Sequence, residues 1–219
     1  MSAMKVGTDS MILGALIDVD HQKSALDIGT GTAVLSLMQA QKNKNLQITA
    51  IEIDEAAYFE ASENVANSKY HSQIAVRKGD FLQTEFNCKF DLIFSNPPFF
   101  ENSLKSQNQQ KNFARHTDSL PFDLLFEKVA YLLFDKASFY LIVPADNCEM
   151  LIELAAKNEL FLKQQISIYG KRGQLNRIVF QFTKKEEEIN YSELMIRNDD
   201  NSYSEQYINL TKEFHNRKL

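Results

Sequence analysis

The chain has 219 residues, 44% of them hydrophobic and 24% charged, which is enough to bury one substantial core in a single domain. A net charge of −5 argues against a protein that coats long nucleic acid through its phosphates. The most apolar stretch, around Ala137 to Ala145, is too short to span a bilayer. Cys88 and Cys148, sixty residues apart and without companion ligands, support neither a zinc site nor a disulfide framework. Met1-Ser2-Ala3-Met4-Lys5 leads into no signal-peptide core, so the expectation is a cytoplasmic protein with no membrane association.

Short apolar strands alternate with helical patterns along most of the chain. The first strand, Ala25–Ile28, runs into Asp27-Ile28-Gly29-Thr30-Gly31 and a helix over Thr32–Gln41. Glycines there let the backbone turn tightly and approach a ligand. The third glycine position of a dinucleotide fingerprint holds Val34, which disfavours a pyrophosphate site and a nicotinamide oxidoreductase. Asp27 would repel a phosphate and attract a cation. A second strand, Gln47–Ile53, brings Glu52 to its end, the usual distance for an acid that takes two ribose hydroxyls. Asp54 is the expected N-cap of a helix over Glu55–Asn67, with Ala57, Ala61 and Val65 as its buried stripe. The third strand, Gln73–Lys78, leads to Asp80-Phe81, a carboxylate beside a ring that suits an adenine.

The fourth strand, Asp91–Ser95, runs into Asn96-Pro97-Pro98-Phe99. Two prolines without N–H groups forbid both helix and further pairing. The Asn96 side-chain oxygen and the Pro97 carbonyl then offer two acceptors to the hydrogens of a planar exocyclic amine, with Phe99 as a face for its ring. The polar segment Phe99–Ser119 follows and reads as a long functional or disordered loop. A helix over Leu120–Phe134, a strand over Ala137–Val143, a helix over Asn147–Lys157 and a strand over Arg177–Thr183 complete the alternation. This pattern argues a largely parallel sheet with helices on both faces and ligands at the carboxyl edge. From Leu160 to Lys185 there are six basic residues and no acidic one, which reads either as a solvated face or as a local face suited to one structured RNA. Lys171 and Arg172 lie in it at a hairpin tip, while Arg177 has two readings, an RNA contact or an anchor of the last strand. In the tail, Ser202 and Glu205 have capping-box spacing for a short helix to about Phe214, with Tyr207, Ile208, Leu210 and Phe214 packing on the body.

The series Asp27-Ile28-Gly29-Thr30-Gly31, Glu52, Asp80-Phe81 and Asn96-Pro97-Pro98-Phe99 resembles the class I S-adenosylmethionine-dependent methyltransferases that act on amines, over about residues 4–185. The resemblance implies a Rossmann-like α/β sheet of about seven strands, mostly parallel with an antiparallel last strand. It implies that Gly29 and Gly31 lie against the methionine part of the cofactor, Glu52 on its ribose, and Asp80 with the Phe81 backbone on its adenine. Met4-Lys5-Val6-Gly7-Thr8-Asp9-Ser10, Ala114-Arg115-His116 and Tyr203-Ser204-Glu205 look more narrowly like the tRNA(Val) adenine-N6 methyltransferase family. In that likeness Gly7 and Thr8 close over the cofactor's amino-acid end. Arg115, His116, Lys171, Arg172 and Arg177 are the expected RNA contacts, with Pro98 against the substrate. That family carries a short aromatic and basic segment ahead of Ala3-Met4-Lys5-Val6, and this chain begins almost there; the expectation is a loss of RNA affinity rather than of cofactor binding.

The implied reaction uses S-adenosyl-L-methionine, releases S-adenosyl-L-homocysteine and needs no metal, with tRNA as partner and a monomer as the expected state. Release-factor glutamine amides and ribosomal-RNA guanine N2 are the nearest alternative acceptors. A non-catalytic protein that binds the cofactor or RNA is the alternative from another class.

Overall fold

A computed structural model of the chain describes residues 7–97, 120–146 and 148–215. An eight-stranded sheet lies at its centre, in the order β3-β2-β1-β4-β5-β7-β6-β8. The strands are β1 (Ser24–Ile28), β2 (Gln47–Glu52), β3 (Ile74–Lys78), β4 (Phe90–Ser95), β5 (Leu133–Pro144), β6 (Phe161–Tyr169), β7 (Leu175–Thr183) and β8 (Asn190–Met195). The helices are α1 (Thr8–Leu16), α2 (Val34–Lys42), α3 (Glu55–Ala66), α4 (Phe122–Leu132), α5 (Cys148–Lys157) and α6 (Glu205–Thr211). β1 to β5 pair in parallel, and β7 runs antiparallel between β5 and β6.

The strand count and the identity of the last strand differ from expectation. β8 follows the antiparallel β7 and pairs in parallel with β6 at the sheet's edge. It is mostly polar and exposed, with only Leu194 buried, so it carries little of the hydrophobic pattern that marks a strand in sequence. β6 also escaped the reading, since Lys163, Gln164 and Gln165 interrupt its apolar face. A third difference lies at the tail helix. Ser204 caps α6, its hydroxyl accepting the Tyr207 N–H at 3.0 Å, whereas Ser202 Oγ donates to Asp200 at 2.6 Å.

Both sheet faces are covered, because consecutive strand residues point to opposite sides. Ala25, Leu92, Phe94, Tyr140 and Ile142 pack with Ile12 and Leu13 of α1, Leu35 of α2, Ala61 and Val65 of α3, and Tyr207 of α6. Leu26, Ile28, Ile93, Phe139 and Leu141 face Leu125, Phe126 and Val129 of α4 and Leu151 and Ala155 of α5. Phe126, Phe139 and Phe182 meet there ring to ring, with centroids 5.5–6.2 Å apart. Asp54 caps α3 as expected, its Oδ1 accepting the Ala57 N–H at 2.8 Å.

Candidate active site

The carboxyl ends of β1, β2, β3 and β4 stand side by side, Ile28 level with Ile51 and Ser95, and Glu52 level with Lys78. Ser95 Oγ donates to the Ile28 carbonyl at 2.9 Å, and the Gly79 N–H donates to the Glu52 carbonyl at 2.9 Å. These bonds align the loops that carry the acids.

The turn after β1 folds over the end of β2. Gly29 and Thr30 both donate backbone N–H groups to the Ile51 carbonyl, at 3.0 and 3.1 Å. Gly29 has φ +67°, and a Cβ placed there would meet nothing within 4 Å, so the space in front of it is open. Only a glycine takes this conformation cheaply and leaves that room.

Asp27 is fully buried beneath the turn. Its Oδ2 accepts from Thr30 Oγ at 2.6 Å and from Ser36 Oγ on α2 at 2.7 Å. Oδ1 has no hydrogen-bond partner among the described residues. Burial pushes the carboxyl up to about 6, against the lowering effect of the two hydroxyls. An orphaned carboxylate oxygen beside a glycine cradle fits a cationic ligand group.

Glu52 is buried at the end of β2, and backbone amides from both sides fix it. Oε2 accepts the Gly31 N–H at 2.8 Å and Oε1 the Asp54 N–H at 2.9 Å. A carboxylate has about four acceptor sites, so two are left for a diol. Ile53, next in sequence, is 65% exposed and sets an apolar side chain at the same rim. Asp80 is half-buried, with Oδ1 on the Leu82 N–H at 2.8 Å. The Phe81 ring is 5% exposed and packs 6.1 Å from Phe86, so it belongs to the core. A role toward an adenine is left to the Phe81 backbone, as the resemblance implies.

At the end of β4, Asn96 is half-buried and Pro97 buried. The Asn96 Nδ2 donates to Ser10 Oγ on α1 at 2.9 Å. α1 itself was read only as a motif, and Ser10 had no assigned role. Gly7 stands at its N-cap with no side-chain cap bond, and Thr8 opens the helix. Asp9 Oδ2 accepts from Arg177 Nε at 2.7 Å, which ties α1 to the start of β7. Arg177 therefore anchors the fold whatever else it does. Lys171 and Arg172 lie in the β6–β7 turn, where Gly173 has φ +77°. Lys163 and Lys185 both pair with Glu187, at 3.4 and 3.7 Å, which removes part of the basic face expected there. Pro98, Phe99, Arg115 and His116 lie outside the described residues. Sequence pattern gives no role to Ser36 or Ser10, which the structure sets against Asp27 and Asn96, or to Ile53; for Thr30, only its spacing from Asp27 inside the glycine motif leaves a signal.

The methyltransferase small domain model matches residues 1–120. A tRNA1(Val) (adenine(37)-N6)-methyltransferase of Bacteroides thetaiotaomicron is 40% identical over 215 residues, covering 97% of this chain and 91% of that protein. The protein of the same name from Phocaeicola vulgatus is 42% identical over 214 residues, with the same coverage. Among solved structures, a predicted O-methyltransferase from Agrobacterium tumefaciens superposes with a TM-score of 0.73 at 13% identity, covering 93% of this chain and 95% of that one. The glycopeptide N-methyltransferase MtfA, in complex with S-adenosyl-L-homocysteine, gives 0.57 at 8% identity, covering 74% and 81%. The structural likenesses describe the fold. The identity across nearly the whole chain carries the assignment: this chain belongs to the tRNA1(Val) (adenine(37)-N6)-methyltransferase family.

Proposed function

We propose that the protein methylates the exocyclic N6 amine of an adenine in tRNA, adenine 37 of tRNA1(Val) being the acceptor named for its relatives. The observation that carries this reading is the pinned Asn96 at the carboxyl end of β4, between the glycine turn and α1. One amide hydrogen on Ser10 holds the Asn96 side chain, and its oxygen is assigned to the amine. The Pro97 carbonyl supplies a second acceptor on a rigid backbone. Two acceptors on the amine hydrogens turn its lone pair out of the ring plane and aim it.

S-adenosyl-L-methionine, when bound, would supply the methyl for that nitrogen from its sulfonium, with S-adenosyl-L-homocysteine as the leaving product. Gly29 and Gly31 make room for its methionine part, Asp27 faces its positive charge, and Gly7 and Thr8 close over the amino-acid end. Glu52 takes the ribose hydroxyls, Ile53 offers the adenine an apolar face, and Asp80 with the Phe81 backbone takes its polar edge. Phe99 and Pro98 are assigned to the target base, a stack worth about 1–3 kcal/mol. The proton shed after transfer goes to water. Because geometry governs such a displacement, alignment is the main contribution asked of these residues. The base must leave its stack, which is easiest in a single-stranded loop. Arg115, His116, Lys171 and Arg172 are assigned to the RNA, and Arg177 to holding α1 beside it.

The test is transfer of tritiated methyl from S-adenosylmethionine to total tRNA from a strain lacking the gene, followed by nucleoside analysis. Label in N6-methyladenosine is expected. Label in another nucleoside, or none while the cofactor still binds, would overturn the reading.

A further inference from the structure

Ser10 touches Asn96, and the two residues before it, Thr8 and Asp9, form part of the wall of a separate cleft. This cleft, about 350 Å³ in volume, is otherwise lined by the β6–β7 turn with Lys171 and Arg177, and by Arg197 and Tyr203 after β8. Its size is at the small end for ligand pockets, near that of one nucleotide unit.

Three cations line it against one carboxylate, and that carboxylate, Asp9, is already paired with Arg177. Arg197 and Lys171 have no carboxylate partner among the described residues. Arg197 is also held in place. Its guanidinium lies over the Tyr203 ring, 4.3 Å from the centroid, and Nη1 donates to the Asn201 carbonyl at 2.7 Å. Tyr203 in turn stacks on the buried Tyr207 at 5.0 Å and 21°. The Arg197 N–H donates to the Gly170 carbonyl at 3.1 Å, joining this stack to the turn that carries Lys171. A weakly hydrated, pre-ordered fork of donors with no internal anion is suited to a phosphate, because little side-chain freedom is left to lose on binding.

We propose that this cleft receives the phosphodiester of a nucleotide flanking the target adenine, with Arg197 and Lys171 on its oxygens. The inference rests on the tRNA reading above and adds to it a fixed point for the strand while the adenine is extruded. It also gives the Tyr203-Ser204-Glu205 segment a task, since that segment supplies both the platform under Arg197 and the cap of α6.

Methyl transfer to unmodified tRNA is measured for wild type, Arg197→Met and Lys171→Ala over a range of salt concentrations. The KM for tRNA is expected to rise about tenfold in each variant, and the salt dependence of tRNA binding to become shallower by about one unit per lost phosphate contact. The kcat and the S-adenosylhomocysteine affinity of Arg197→Met stay near wild type. Arg197→Met keeps an apolar stem on Tyr203; should it fail to fold, Arg197→Lys, which keeps the charge and loses the fork of donors, carries the same test. An anticodon-loop oligonucleotide with a neutral methylphosphonate at either linkage flanking the adenine locates the contact. One of the two substitutions should weaken wild type as Arg197→Met does and leave that variant no weaker. Unchanged KM and salt slope in a folded variant, with wild type turning over, would overturn the cleft assignment alone, as would additive losses at both linkages. A wild type that methylates no tRNA would overturn the functional reading, and the cleft assignment with it.

Discussion

The Asn96 amide donates to Ser10 Oγ at 2.9 Å, so the first turn of α1 holds the side chain to which the proposed mechanism gives the amine. One Nδ2 hydrogen lies on Ser10, and the proposed mechanism gives the oxygen to an incoming amine. A flipped amide would present N–H to N–H and repel it. Ser10→Ala should therefore lower kcat by about tenfold, the worth of one hydrogen bond, while S-adenosylmethionine affinity holds. Ser10→Thr keeps the acceptor and should recover most of the rate. Equal kcat in Ser10→Ala and wild type would show that the amide orients itself without the helix.

Asn96→Ala removes one of the two acceptors entirely. The expected loss in kcat is on the order of 10²–10³, comparable to deleting a preorganised hydrogen-bonding group elsewhere in catalysis. Calorimetry with S-adenosylhomocysteine should show nearly unchanged binding, because the glycine turn and Glu52 are held by bonds that do not involve Asn96. Near-normal turnover would remove the amine grip from the mechanism.

These two residues show how far the sequence could be read. Asn96-Pro97 was legible because prolines after an apolar strand force a rigid polar loop, whatever surrounds it. The placement of Asp27, Gly29, Gly31, Glu52 and Asp80 at neighbouring strand ends was legible because strand–helix alternation puts those ends on one edge. Ser10 was not, since its partner lies 86 positions away and no periodicity encodes that contact. The same holds for Arg197, whose side chain gains its setting only when β8 brings it beside the β6–β7 turn. The side to which the Phe81 ring turns was not legible for a related reason: an aromatic after a strand packs into the core or stays at the rim depending on a turn that sequence alone leaves open.

Asp27 gives a pH signature. Its carboxyl is raised to about 6 from an ordinary 3.8, so folding favours the protonated form. Stability from this group is fully present below pH 3.8 and is lost as pH rises through 6, a change of roughly 3 kcal/mol for a fully buried acid. Asp27→Asn should therefore gain on wild type in denaturant midpoint as pH rises from 4 to 7. Cofactor binding runs the other way. A cationic ligand favours the ionised acid, so S-adenosylmethionine affinity should fall as pH drops below about 6, by up to tenfold per unit. Methylthioadenosine, which lacks that charge, should show no such fall. A flat profile for S-adenosylmethionine would mean that Asp27 holds only the turn.

Lys42 tests whether α1 is a positioned element or a passive one. From the last turn of α2 its Nζ donates to the carbonyls of Gly14, Ala15 and Ile17, and Gln39 Nε2 donates to Gly14 at 3.0 Å. Burial lowers the amine below its ordinary 10.5, yet the site suits a cation, since helix carbonyl ends are partly negative. Lys42→Met keeps the stem and strands those carbonyls, at a cost of about 1–3 kcal/mol, with Tm falling by about 2–4 °C for each. Because Ser10 rides on the same helix, methyl transfer should slow at temperatures where the variant is still fully folded, whereas Lys42→Arg should largely restore both. A lowered Tm with unchanged turnover would confine Lys42 to stability and detach the end of α1 from the chemistry at its start.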